Sequence, residues 1–430
     1  MKQHKTNPFR YAVGMFGTSV PINMFKTYAA AFYVMGLGVT TGQLAKVLLI
    51  YTFLDMIDNP VYGFLSDKTH SRWGRRRLWL VIGTPLLILS FIAFFNVPSF
   101  IGPNSLFAYM LLTYMLTGTL DSLINANYAA LFPELFRTDA ERAKTNALRQ
   151  AFQLVAMVIS IALTPIVTEK IGYGKTAVIY GLLAGAVILY MAIGCKEPPL
   201  NDDAVKPKLF ATLRDMFADL RFWLFGFTNA FYSAALALVM AAIPFYVHYT
   251  LGLSGTANTV LLGVVLLLAM GCVAVWAVLV KKFTLMPVWR SALIWLGLAF
   301  IPLYFSKNLY GAVVGCILIG MGFAGVITTM DLVGARVMDE DLRRHGIKRE
   351  GIYASAMGFM NRLSGLFTAT GFWLVGSLYG FQSGEVPGDR PGDAARVLLI
   401  IFPVVLMAFS VAVSHLLHFP EPAAKNGRDE

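Results

Sequence analysis

The chain has 430 residues, of which 57% are hydrophobic and 14% charged, against about 25% charged in an average soluble domain. Its mean hydropathy is +0.64. These values exclude an ordinary soluble enzyme or binding domain and leave a protein whose solvent is largely lipid. A net charge of +11 would suit a nucleic-acid binder, but the placement of the charges excludes that reading as well.

A spanning helix needs about 20 apolar residues. Twelve such stretches follow one another, near 11–36, 41–65, 78–100, 105–131, 146–168, 176–195, 222–250, 257–280, 291–306, 310–335, 352–380 and 397–418. They predict an all-α membrane protein of twelve transmembrane helices. The first stretch lacks a small-residue cleavage site and is read as a span, not a removed signal peptide. The longest loop between spans, near 196–221, holds Pro198, Pro199, Pro207 and several charges. It predicts an N-terminal six-helix bundle over 1–195, a cytoplasmic linker over 196–221, and a C-terminal six-helix bundle with a tail over 222–430. Within the linker, Leu209, Leu213, Phe217 and Leu220 have helical spacing, as expected of a plain linker helix or, as the alternative, an amphipathic helix on the membrane surface.

With the N-terminus placed inside, the loops and tails on that side carry 26 Lys and Arg against 5 on the other. Such a bias orients multi-span proteins. It predicts both termini in the cytoplasm and a plasma or inner membrane location. Four basic residues remain in or at the ends of spans: Lys26, Lys46, Arg149 and Arg362. Cys195, Cys272 and Cys316 are isolated in apolar stretches and read as small hydrophobes.

Ionisable residues inside spans are costly and are functional candidates by default. Helix 2 carries Asp55, Asp58, Asn59 and Tyr62 on one face. Pro60 frees the carbonyl one turn earlier, at Met56. Oxygen ligands gathered this way suit Na⁺, whereas a close carboxylate pair can instead share a proton. Helix 4 carries a polar stripe of Thr117, Asp121, Asn125 and Tyr128, suited to a polyhydroxylated solute or to helix–helix hydrogen bonding. Arg149 opens helix 5 and can pair with a carboxylate of helix 2 or 4, or contact solute. Lys26 sits mid-helix 1, where snorkelling is difficult. Asp331 lies late in helix 10, and Arg362 follows Asn361 in helix 11. Four embedded bases face four embedded acids (Asp55, Asp58, Asp121, Asp331), a balance that predicts pairing. The loop SDKTHSRWGRRR at 66–77, with Gly63 before it, places Asp67 among Arg72 and Arg75, where a carboxylate can bridge guanidiniums. Phosphate-loop, H-E-x-x-H and paired metal-ligand spacings are absent, so no enzyme and no cofactor are expected. The one metal considered is Na⁺ at Asp55, Asp58 and Asn59.

Three segments carry a resemblance: LDMIDNPVYGFLSDKTHSRWGRRRLWLVIGTP at 54–85, ALFPELFRTDAERAKTNALRQAF at 130–152 and MDEDLRRHGIKREGIYASAMGFMNR at 338–362. Over nearly its whole length the chain resembles the glycoside–pentoside–hexuronide:cation symporters of the major facilitator superfamily, the group of the melibiose carrier. The resemblance implies two six-helix bundles of that superfamily's fold, a central solute site, and alternating access driven by Na⁺ or H⁺. The family's D-x-x-x-D cation pair begins at Asp55, but its second position is Asn59, with Asp58 adjacent. Na⁺ at an altered site, H⁺, and uncoupled transport therefore all stay open. The family's helix 1 Lys-Asp pair corresponds to Thr18 and Ser19, which argues against an α-galactoside. Anchored on Pro133, the family's sugar-binding aspartate falls at Asn125, one turn after Asp121. Arg149 matches a family arginine, and Arg362 stands for a family lysine. The implied solute contacts are Lys26, Asp121, Asn125, Tyr128, Arg149 and Arg362. Asp55, Asp58, Asn59 and Asp121 would sense the cation, and Gly63, Asp67, Arg72, Arg75, Asp341 and Arg349 would serve gating. The expected partners are a sugar-like solute and membrane lipid, with the chain acting as a monomer. The rival readings are a lysolipid transporter of the same fold and a non-transporting sensor or scaffold.

Overall fold

A computed structural model describes residues 6–69, 71, 73–136, 139–195, 197, 217–345 and 357–419. Among these, every regular element is helical. Twelve spans follow in order: α1 (8–36), α2 (Thr41–Lys68), α3 (Arg77–Phe95), α4 (Pro103–Leu135), α5 (139–171), α6 (173–194), α7 (220–250), α8 (Gly255–Phe283), α9 (285–305), α10 (Leu309–His345), α11 (357–379) and α12 (391–416). The all-helical architecture expected from the apolar stretches is thus present. Most of the predicted amphipathic segment at 203–221 lies outside the described residues.

Composition explains why some spans are less obvious than others. Eight continuous stretches among the described residues are long and apolar enough to cross a membrane, with the α5–α6 pair counted as one. α1 and α2 fall short because polar residues interrupt them, and these are the helices that carry Lys26, Asp55 and Asp58; the unbroken part of α11, Ser364–Tyr379, is only 16 residues long. α10 runs for 37 residues, about 55 Å at 1.5 Å per residue, well beyond a hydrocarbon core of about 30 Å.

The sequence predicts a loop between 168 and 176. Instead α5 and α6 are continuous helix up to a single break at Gly172, with φ 80° and ψ 161°, a conformation that a residue with a Cβ rarely adopts. Short π-helical turns occur at Ala31–Gly36, Val158–Leu163, Tyr246–Thr250 and Val397–Ile401. Pro165 and Pro403 lie two residues beyond the second and fourth of these. A proline there cannot donate to the carbonyl four residues back, and a widened turn accommodates the break.

α1–α6 pack on one another, as do α7–α12, and the two halves meet through α2 on α11, α5 on α8, and α1 on α7. At the end away from the termini, the contact is made by backbone groups. Gly384 N–H donates to the Val34 carbonyl at 2.7 Å and Thr41 N–H to the Gln382 carbonyl at 2.7 Å. The Thr41 hydroxyl donates to the Phe381 carbonyl at 2.8 Å.

At the end that carries the termini, each half is tied by charge. The Glu197 carboxylate accepts the N–H groups of Arg75 (2.9 Å), Arg76 (3.1 Å) and Arg77 (2.7 Å). These are orphan donors at the start of α3, which a carboxylate satisfies with help from the helix dipole. The Arg75 and Arg76 side chains both reach Glu134 on α4 at 2.7 Å. Arg77 donates to the carbonyls of Ala192 and Ile193 at the end of α6. In the second half, Arg221 pairs with Glu340 at 3.1 Å and Arg344 with Asp219 at 3.8 Å. Of the predicted gating residues, Arg75 joins this network. Arg72 and Arg349 lie outside the described residues. Gly63, Asp67 and Asp341 fall within α2 and α10, but beyond the backbone they too lie outside the described part.

Charge-assisted hydrogen bonds contribute about 1.5–3 kcal/mol each. Replacing Glu197 with Ala removes three acceptor contacts at once and should lower the thermal midpoint of the detergent-purified protein by several degrees. Glu197→Gln should recover part of the loss. An unchanged midpoint for Glu197→Ala would contradict the capping role.

Candidate functional site

Two helices of the first half build the centre. On α2, Asp55, Asp58 and Tyr62 recur at helical spacing and face α4. On α4 they meet Thr119 and Ser122. Ser122 Oγ donates to Asp55 Oδ1 at 2.8 Å. Thr119 Oγ1 donates to Asp58 Oδ2 at 2.5 Å and lies 3.0 Å from the Tyr62 hydroxyl. Thr119 has one hydroxyl proton, which it gives to Asp58, so Tyr62 is the donor in the second contact.

Hydroxyls on several helices of the fold behave differently. Thr52, Thr84, Thr113, Ser160, Thr228 and Thr368 each bond the carbonyl four residues earlier in their own helix. Thr119 and Ser122 instead reach across to carboxylates. The helices approach closely because position 118 is glycine. A Cβ there would overlap the ring of Tyr51 on α2.

The other oxygen of Asp55 points out of the first half. Asp55 Oδ2 lies 3.0 Å from Arg362 Nε on α11, with side-chain exposures of 17% and 15%. This ion pair bridges the two halves. Beside Arg362, Asn361 Oδ1 accepts from Asn229 Nδ2 on α7.

The predicted α4 stripe divides. Asp121 is buried and its Oδ1 accepts from Asn125 Nδ2 at 2.7 Å. Lys26, Asp55 and Arg362 all lie within electrostatic reach of Asp121. Lys26 is exposed although its neighbours from Met24 to Ala31 are otherwise buried. Tyr128 faces elsewhere. Its ring stacks on Tyr11 at 4.6 Å and an interplanar angle of 10°, and it is buried.

Arg149 does not pair with a carboxylate of α2 or α4 among the described contacts. Its guanidinium lies over the rings of Phe132 (5.0 Å), Tyr128 (5.2 Å) and Tyr11 (5.9 Å), a cation–π seat. Asp331 is exposed on α10, within electrostatic reach of Tyr232. The balance of four acids and four bases therefore does not become four pairs. Asp55–Arg362 is the one ion pair formed among these eight residues in the described set, while a hydroxyl holds Asp58, an amide Asp121 and aromatic rings Arg149. Asn59 belongs to α2, but its side chain lies outside the described part. No cluster of three His, Cys, Asp or Glu side chains able to hold a metal occurs among the described residues.

Sequence reasoning missed Thr119 and Ser122, which lie just off the stripe read on α4. It also missed Glu134, Glu197, Asp219 and Glu340. Glu134 stands inside a segment already singled out, directly after Pro133, and Asp219 caps α7 with a bond to the N–H of Arg221 at 2.9 Å.

The sequence matches the family described as MFS/sugar transport protein over residues 10–420. The chain belongs to that family. It is a multi-pass membrane protein of the major facilitator superfamily fold, similar to the glycoside–pentoside–hexuronide type. An isoprimeverose transporter of Lactiplantibacillus pentosus is 29% identical over 184 residues, 42% of this chain and 38% of that protein. An uncharacterized symporter of Synechocystis is 28% identical over 230 residues, 51% of this chain and 41% of that one. The chain thus spans about two fifths of the length of these relatives. A putative sulfoquinovose importer of Salmonella typhimurium is 24% identical over 429 residues, 91% of this chain and 85% of that protein. Among solved structures, a bacterial homolog of the lysosomal transporter Spinster shares the fold with a TM-score of 0.71 at 13% identity, covering 95% of both chains.

The Asp55–Arg362 link is testable by a double-mutant cycle. Asp55→Asn and Arg362→Gln should each lower the thermal midpoint, and the double variant should lose less than their sum. A coupling of about 0.5–3 kcal/mol is expected for groups in direct contact. Strict additivity would show that the pair carries no energy.

Proposed function

We propose that this chain is a secondary active transporter that carries a sugar, glycoside or sugar acid together with Na⁺ or H⁺ by alternating access. The observation that carries the reading is the Asp55–Arg362 pair, which joins a carboxylate near the middle of α2 in one half to a cation of the other. A carboxylate that can be neutralised either by Arg362 or by an arriving cation is a coupling element. Na⁺ or H⁺ at Asp55 or Asp58 weakens the hold on Arg362, and the halves become free to rock. Thr119 and Ser122 would stabilise the ionised carboxylates, and their oxygens are the hard ligands that Na⁺ takes. Lys26, Asp121, Asn125 and Arg362 would face the solute. Hydroxyl-rich solutes suit this mixture of carboxylate, amide and cation, and the ammonium and guanidinium suit an acidic or sulfonated sugar. The names of the isoprimeverose and sulfoquinovose relatives support the same class of solute.

We place the chain in the cell membrane with both termini on the cytoplasmic side, on the bias of 26 basic residues to 5. The backbone bonds among Val34, Thr41, Gln382 and Gly384 then close the outer end, as in an inward-facing state. The two six-helix units would be 1–195 and 222–430, joined through 196–221.

Asp55→Asn should abolish solute accumulation driven by a Na⁺ or pH gradient in proteoliposomes, while solute counterflow survives at a substantial rate. Unchanged accumulation would remove Asp55 from the coupling role. The solute class is tested by thermal stabilisation of the purified protein across neutral sugars, sugar acids, sulfonated sugars and lysolipids, with Na⁺ present or at varied pH. Stabilisation by a sugar or sugar acid is expected. A response to lysolipid alone would replace this reading with lipid transport.

A further inference from the structure

Lys46 has no part in the site above, and its placement is unusual. On α2 the exposed positions Lys46, Ile50, Phe53, Ile57 and Val61 form a stripe at helical spacing. At about 100° per residue this stripe lies about 180° around the helix from Asp55. Large aliphatic side chains exposed along one face of a spanning helix meet lipid, so Lys46 sits on the lipid-facing side. Embedded lysines almost always turn inward or find an anion. No carboxylate lies within 4 Å of the Lys46 ammonium among the described residues.

Beside Lys46 is a groove of about 560 Å³ between α2 and α11, lined by Gln43, Lys46, Leu49, Ala369, Thr370 and Trp373. Trp373 is 55% exposed. Thr370 and Trp373 form a matching exposed edge on α11. The groove lies toward the end away from the termini, because Lys46 stands five residues, about 7.5 Å, from the start of α2 at Thr41. That depth is near the headgroup level, where a lysine can reach up to phosphate and a tryptophan prefers to sit.

We propose that this groove is a binding site for an anionic phospholipid of the surrounding bilayer. Lys46 would bind the lipid phosphate, Gln43 and Thr370 would hydrogen-bond the glycerol and headgroup, and Leu49 and Trp373 would pack on the upper acyl chain. The charge on Lys46 names an anion, and the lipid-facing stripe names its source. Because α2 and α11 belong to different halves, the lipid would clasp the seam on the side opposite the ion pair. It is not a transported lysolipid, since the groove and the carboxylates occupy opposite faces of α2.

The test uses the full-length protein in nanodiscs. Trp373 emission is obtained as the difference between wild type and Trp373→Phe, which removes the other six tryptophans. Brominated phosphatidylglycerol is compared with brominated phosphatidylcholine as quencher in an otherwise identical bilayer. Wild type should show about a fivefold preference for the anionic lipid, the increment expected for one lysine near the membrane surface. Lys46→Gln should lose it and Lys46→Arg should keep it. Equal quenching by the two lipids in wild type, or a preference that survives Lys46→Gln, would overturn the proposal. So would loss of the preference on adding inorganic phosphate in place of chloride at equal ionic strength, which would mark a site for free anions.

Discussion

A charge inside a membrane must be neutralised, and this fold meets that demand at its centre across the boundary between its two halves. Asp55 and Arg362 lie in helices far apart in sequence, and each is the other's counter-charge. Separating them exposes an unpaired ion in surroundings of low polarity, which is strongly unfavourable. The halves are therefore held together by an interaction that, on the function proposed above, an arriving cation would replace. Ridges of aliphatic side chains could hold the halves just as firmly, but they would not respond to ions.

The surroundings of the pair are consistent with that role. Asp55 uses both oxygens, one for Ser122 and one for Arg362. Asp58 is held by Thr119, which Tyr62 in turn supports. Away from this centre, charge serves rigidity: Glu197 and Glu134 bind α3 to its neighbours, and Glu340 does the same beside α7. Each half is thus tied internally, as the proposed rocking of one half against the other would require. The contacts at the far end, made by Thr41 and Gly384 with backbone carbonyls, are neutral and easily exchanged for water.

Much of this was legible in the sequence because hydropathy and helical period are local properties. The spans, the shared face of Asp55 and Asp58, and the neighbourhood of Asp121 and Asn125 all follow from them. The same period even places Lys46 opposite Asp55. What could not be read depends on neighbours. A serine or threonine hydroxyl bonds either its own helix or the next one, and Thr52 and Thr119 take opposite choices for reasons of packing. Arg149 finds three rings brought together from α1 and α4, a combination that no spacing reveals. Counting charges suggested pairs, because a count cannot weigh an aromatic face or an amide against a carboxylate. The α5–α6 turn was read as a loop of several residues, whereas one glycine, Gly172, makes it.

Gly118 has a wider consequence. It sets how near α4 comes to α2, and thus the gap between the hydroxyls of Thr119 and Ser122 and the carboxylates facing them. A proton and a sodium ion differ chiefly in the width of gap they require. If the proposed ion coupling holds, a lineage of such proteins would change the ion it uses by altering a residue that touches no ion. Comparing ligands alone would then misjudge which relatives share a driving force.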